Sequence, residues 1–257
     1  MQSNSLITFK DRKTAFIPYL VAGHTNNNVF ESALKLLNDV GADLIEIGIP
    51  FTDPIAEGKI IENAHHSSLK SGFVLDEICE IVRTFRAYSD TPVIAMGYTN
   101  SFINPTSGYI ASKLSDSGFN GVLIVDLPAS EKSIINTFKD KNLELVQLIA
   151  PTTQLNLIED FLENDPALIY YITQRGITGS NNLNLDEISE KLSAIKELSN
   201  KPVVTGFGIK TVEDVISLKS MTDGIVIGSP IVEKINIDSS LQELKAYVEP
   251  IVEAIKT

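Results

Sequence analysis

The chain holds a single cysteine, three histidines and far fewer basic than acidic residues, and each shortage removes a class of function. Cys79, in the helical run 77–82, can form no internal disulfide and has no metal-ligand spacing around it, so a buried structural thiol is expected. Twenty-one Lys and Arg stand against 33 Asp and Glu, a formal net charge of −12. Nucleic acid and anionic membrane surfaces both demand a cationic face, so neither suits this chain. No apolar run is long enough to span a bilayer and the segment Met1–Lys10 lacks an apolar signal core, so a soluble cytoplasmic protein is expected. His65 and His66 are neighbours in a helical stretch and point apart, while His24 stands alone; neither arrangement suggests a metal site. No lysine falls within a candidate strand, which leaves a Schiff-base mechanism without its nucleophile. Ser-His-Asp order and a Rossmann glycine fingerprint are missing too.

What the chain does have is alternation. Short runs rich in Ile, Val and Leu mark candidate strands at 16–21, 44–47, 93–96, 121–125, 143–148, 168–172, 202–205 and 224–227. Helical period appears at 28–40, 75–88, 110–117, 130–140, 155–163, 185–199 and 212–219, with a last helix over about 240–255. Strands apolar on both faces belong to a parallel sheet. Eight such units without a linker, in 257 residues, predict one (β/α)8 barrel domain spanning 1–257, of the TIM-barrel type. An open doubly wound sheet is the rival and usually has fewer strands at this length.

In such barrels chemistry gathers at the C-terminal strand ends. Glu46 is an acid within the apolar run Leu44–Ile47, and a Pro-rich turn then delivers Glu57 just ahead of a helix. A carboxylate in a buried strand is costly unless something uses or neutralises it. The two acids therefore form acid–base equipment, or else Glu46 pairs with a hidden Arg or Lys and Glu57 caps a helix. Gly206-Phe207-Gly208 and Gly228-Ser229 follow the last two strands, where barrels often bind phosphate through backbone N–H groups. Ser229 can cap a short helix with Pro230 at its first position, adding a favourable N-terminus; the alternative is that both glycine pairs only make tight turns. The small, polar stretch 176–182 reads as a lid with Gly179 as a further donor, or as a loop without a role. Tyr19, Met96, Tyr98, Tyr170 and Phe207 fall at strand ends and would give the mouth an apolar lining. Together these features suit proton-transfer chemistry on a phosphate ester with a large apolar end.

At these residues the chain closely resembles the tryptophan synthase α subunit family. The matching motifs are Phe16-Ile17-Pro18-Tyr19 with Ala22-Gly23, the run from Glu46 to Pro54, Asp126-Leu127-Pro128, Gly176-Ile177-Thr178-Gly179, Gly206-Phe207-Gly208-Ile209 and Gly228-Ser229-Pro230-Ile231-Val232, in family order across nearly the whole chain. The resemblance implies a (β/α)8 fold and reversible retro-aldol cleavage of indole-3-glycerol phosphate to indole and glyceraldehyde 3-phosphate, in tryptophan biosynthesis. It implies no cofactor and no metal in this subunit, and a pyridoxal-phosphate-dependent β subunit as partner in an α2β2 heterotetramer. It assigns catalysis to Glu46 and Glu57, with Glu46 raised in pKa by its apolar strand. Substrate contacts carry over to Tyr19, Met96, Leu123, Ile149, Tyr170, Thr178 and Phe207, and phosphate contacts to Gly179, Gly208, Gly228 and Ser229. The partner face would include the loop 100–105, through Phe102 and Ile103, and the loop 50–54. The family normally has Asp where this chain has Glu57 and Pro where it has Lys59, which places a longer arm and a cation beside the acids. A weakened barrel kept as an allosteric binding subunit, and a stand-alone lyase, are the alternative functions.

Overall fold

The structure, a computed structural model, describes residues 6, 14–173 and 184–257. Strands β1 (Ala15–Val21), β2 (Ile45–Gly48), β3 (Val93–Gly97), β4 (Gly121–Ile124), β5 (Glu144–Ile149), β6 (Leu168–Ile172), β7 (Val203–Gly206) and β8 (Gly224–Ile227) close into a parallel barrel in chain order. The helices are α1 (Asn27–Asp39), α2 (Lys59–Lys70), α3 (Leu75–Arg86), α4 (Thr99–Ile103), α5 (Ser107–Asp116), α6 (Lys132–Lys139), α7 (Leu155–Leu162), α8 (Leu185–Leu198), α9 (Val212–Leu218), α10 (Ser229–Ile237) and α11 (Gln242–Lys256).

The pleat sorts each strand into two cores. Ile17, Tyr19, Ile94, Met96, Leu123, Val146, Tyr170, Val204 and Val226 fill the barrel interior. Their alternates, among them Phe16, Ile45, Ala95, Ile149, Ile169 and Ile225, pack outward under the helices. Glu46 has the inward parity of β2 and pairs in register with Tyr19 of β1 and Ile94 of β3. That parity places a carboxyl group inside the barrel at its C-terminal mouth.

Two sequence expectations need correction. The stretch 100–105 is not simply a loop: Thr99–Ile103 forms α4, whose first N–H and the Thr99 hydroxyl both donate to Asp126, at 2.6 and 2.8 Å. Phe102 is 1% exposed and meets Phe138 edge-on at 5.7 Å, so it packs beneath its own segment and offers nothing to a partner. The cap of α10 is Gly228, with Ser229 first in the helix and Pro230 second, one residue earlier than the sequence suggested.

The end of the barrel opposite the site is clamped by Arg86. Its Nε donates to Gly118 O at 2.7 Å, Nη1 to Ser89 O and Thr91 O at 3.1 and 2.6 Å, and Nη2 to Asn120 Oδ1 at 2.8 Å. Asn120 Oδ1 also accepts from Val93 N–H at 2.9 Å, tying α3 to the starts of β3 and β4. Arg86→Met should cost about 2–4 kcal/mol in urea unfolding, because it strands several half-buried acceptors; a loss below about 1 kcal/mol would show the clamp to be incidental.

Candidate active site

At the C-terminal mouth lies a cavity of about 200 Å³ lined by Tyr19, Glu46, Glu57, Gly58, Ile61, Met96, Tyr170, Phe207, Gly208, Ile209, Lys210, Val226, Gly228, Ser229 and Pro230. It brings both acids, four of the apolar candidates and the two glycine turns to one hollow. Leu123 is fully buried in the barrel interior and is not among the lining residues. Ile149 has the outward parity of β5 and sits in the layer under the helices. Thr178 and Gly179 lie outside the described residues.

Glu46 is 1% exposed, and its Oε2 has no hydrogen-bond partner among the described residues. No ion pair of the described residues includes it, so the reading in which a hidden Arg or Lys neutralises Glu46 finds no support among them. Burial, and then repulsion from Glu57, push its pKa up to about 8. Burial raises Glu57 to about 7. The repulsion is mutual, so the two carboxyls release their protons as a pair, Glu57 first. Near neutral pH the pair thus retains a proton that ordinary carboxyls would have lost.

Glu57 is placed by a pinned loop. Tyr98 stacks on Phe51 with ring centroids 4.9 Å apart, and its hydroxyl accepts from Ala56 N–H at 3.1 Å. Tyr98, expected at the mouth, therefore braces the loop from beneath and does not line the cavity. His66 Nε2 donates to Thr52 O at 3.1 Å, and Phe51 N–H donates to His65 Nδ1 at 3.1 Å. Lys59 pairs with Glu62 at 3.1 Å on a side chain 74% exposed, so the cation expected beside the acids points into solvent.

Two glycines make room for the tyrosines. A Cβ at Gly48 would stand 2.0 Å from the Tyr19 hydroxyl, and one at Gly206 would stand 2.2 Å from that of Tyr170. Opposite the acids, Phe207 and Gly208 both have left-handed backbone, at φ 79° and 74°. For Phe207 that conformation is strained, and strain of this kind persists where the surroundings enforce it. The Thr173 hydroxyl binds the turn, 2.7 Å from Gly206 O and 2.5 Å from Phe207 O. The N-terminus of α10, at Gly228 and Ser229, opens on the same hollow. A nest beside a helix N-terminus is suited to an anion without a side-chain cation. Lys210 also lines the cavity, a loop lysine that was not among the candidate site residues. Ile61 and Val226 were missed as well; the inward parity of β8, two residues before Gly228, was the available signal for Val226. Among the described residues no group of three or more metal-type ligands exists, and no helix is long and apolar enough to cross a membrane.

A (β/α)8 barrel with an acid-bearing apolar cavity and an anion-suited mouth defines the class: a barrel with a small-molecule site at the C-terminal ends of its strands. The family model described as tryptophan synthase alpha chain matches residues 7–256. The tryptophan synthase alpha chain of Marinobacter nauticus is 37% identical over 227 residues, covering 87% of this chain and 83% of that one. That of Pyropia yezoensis is 32% identical over 253 residues, 95% of each. The solved tryptophan synthase α2β2 complex of Pyrococcus furiosus superposes with a TM-score of 0.87 at 32% identity, over 96% of this chain and 100% of that one. Tryptophan synthase subunit alpha from Legionella pneumophila gives 0.86 at 30% identity, over 95% and 94%. The chain belongs to the tryptophan synthase alpha chain family, lyases of tryptophan biosynthesis.

Proposed function

We propose that this chain cleaves indole-3-glycerol phosphate to indole and glyceraldehyde 3-phosphate in the cytoplasm, as the α subunit of an α2β2 complex whose β subunit carries pyridoxal phosphate. The observation that carries the reading is Glu46: a buried acid, facing a cavity, with an oxygen unpartnered among the described residues and in none of their ion pairs. Protonated Glu46 gives its proton to indole C3, which makes the ring an electron sink. The resulting carboxylate takes the proton of the glycerol hydroxyl, the bond from C3 to the glycerol carbon breaks, and the electron pair returns to the ring. Glu57 faces the ring N–H and stabilises the positive charge that develops there. Tyr19, Met96, Tyr170 and Phe207 enclose the substrate, and Leu123 packs in the barrel interior with Tyr19, Met96 and Tyr170. Gly208, Gly228 and Ser229 offer N–H groups to the phosphate, with Gly179 and Thr178 as further contacts. No step requires a cofactor in this subunit.

Ile55, 79% exposed at the tip of the loop that carries Glu57, is the apolar contact offered to the β subunit. A partner seated there would close the pinned loop further on the substrate, so the isolated chain should be slow. Indole release from indole-3-glycerol phosphate should rise on adding β subunit; an unchanged rate would rule out partner activation. Substrate binding without turnover under either condition would favour the allosteric binding subunit.

A further inference from the structure

The mechanism leaves unused a buried imidazole beside the site. His65 of α2 is 1% exposed and makes two hydrogen bonds, one to each ring nitrogen. Phe51 N–H can only donate, so Nδ1 must be the unprotonated acceptor. Burial, and then the neighbouring His66 and His24, drive the His65 pKa down to about 4, so the ring is neutral and its single proton resides on Nε2. Nε2 lies 3.1 Å from the Tyr19 hydroxyl. The imidazole therefore donates and the phenol oxygen accepts, which obliges the phenol proton to point elsewhere. Tyr19 keeps that proton, because burial, then Glu57 and Glu46, raise its pKa well above the ordinary value.

The cavity is one direction open to the phenol proton. Tyr19 lines it with Glu46, and the two residues are register partners across β1 and β2. The groups facing Glu46 are Tyr19 from β1, Tyr170 from β6 and Glu57 from the loop before α2. Those facing His65 are His24, after β1, and His66 on its own helix. Glu46 has a buried oxygen that needs a donor at the moment its proton leaves.

We propose that His65 is a positioning residue: held by the Phe51 backbone, it fixes Tyr19 as a hydrogen-bond donor to the carboxylate form of Glu46. The proposal rests on the reading of Glu46 as the acid–base group. A donor to the charged form makes a carboxyl easier to ionise, so the relay restrains a pKa that burial would otherwise drive higher. It allows one buried acid to give up its proton and take another within a single turnover.

The test is the titration of the Glu46 carboxyl by carbon-13 NMR in glutamate-labelled full-length chain, assigned by the signal lost in Glu46→Gln. Tyr19→Phe should raise the Glu46 midpoint by about one pH unit. His65→Leu should raise it similarly, the double variant should add little, and His65→Gln, whose amide keeps a donor for Tyr19, should return it towards the parent value. Nitrogen-15 spectra should show His65 neutral with its proton on Nε2 at pH 7. An unmoved midpoint in Tyr19→Phe, or a proton on Nδ1, would overturn the relay; a merely structural role would lower stability without moving the titration. Should His65→Leu not fold, Tyr19→Phe and the nitrogen spectra still decide. Indole release by the α2β2 complex separates the two readings: a moved midpoint in a chain that never cleaves the substrate would retire the proposed function and leave the relay standing.

Discussion

Glu46→Gln should abolish most turnover, by roughly 10²- to 10⁴-fold, while leaving phosphate-ester affinity within a few-fold. The amide keeps the shape of the carboxyl and can neither deliver nor recover a proton. The same substitution should raise stability, and the sign follows from the proton count. The Glu46 pKa stands at about 8 in the fold against an ordinary 4.5, so between those values the native state holds a proton that the unfolded chain has released. Native stability is therefore undiminished by Glu46 below about pH 4.5, falls as pH rises toward 8, and is lowest above it. Since each pKa unit is worth about 1.4 kcal/mol, Glu46→Gln should match the parent at pH 4.5 and exceed it by on the order of a few kcal/mol at pH 9. Urea unfolding at the two pH values reads this directly. A variant equally stable relative to the parent at both would mean that Glu46 is not held protonated by burial. An acid that weakens the fold at a cavity wall fits the acid–base role proposed for it.

The barrel was legible because its strands are apolar on both faces, and that signal survives without knowledge of any contact. All eight expected strands exist, with ends displaced by a residue at several. The five residues of α4 were not legible: they are too short to show a period, and their cap, Asp126, comes from the end of another strand. Phe102 read as an exposed apolar residue for the same reason, since its partner Phe138 is remote in sequence. In the site, Glu46 announced itself as one acid in an apolar run. Ile149 was assigned to the pocket, yet it shares its parity with Leu145, which also packs outward. His65 was weighed only against metal binding, and its actual contacts are a backbone N–H in the preceding loop and a phenol on β1. Residues whose roles are set by strand parity can be found along the chain; those set by a bond between distant segments cannot.

Glu57→Gln should lower turnover by roughly 10²-fold or more and, at the same time, move the alkaline limb of the rate to lower pH. The two effects have separate causes. The rate falls because a neutral amide no longer stabilises the positive ring. The limb moves because Glu57 is the charge that repels the ionised form of Glu46, so its removal brings the Glu46 pKa down from about 8 towards the value set by burial alone. This shift is opposite in sign to the one expected for Tyr19→Phe, which removes a donor rather than a like charge. A limb that moved upward in Glu57→Gln would show that the two acids do not face each other across the cavity. Glu57→Asp is the sharper probe of the loop. It keeps the charge and shortens the arm by one methylene, and misplacement by about 1 Å can cost on the order of 10²-fold. Ala56 is tied to Tyr98, and Glu57 N–H donates to Pro54 O at 3.0 Å, so the backbone is not free to advance and make up the length. Glu57→Asp should therefore lower kcat while leaving the alkaline limb in place, because position changes and charge does not. An aspartate as active as the parent would mean that the loop closes further on the substrate than its pinned form suggests, with the partner at Ile55 as the agent of closure.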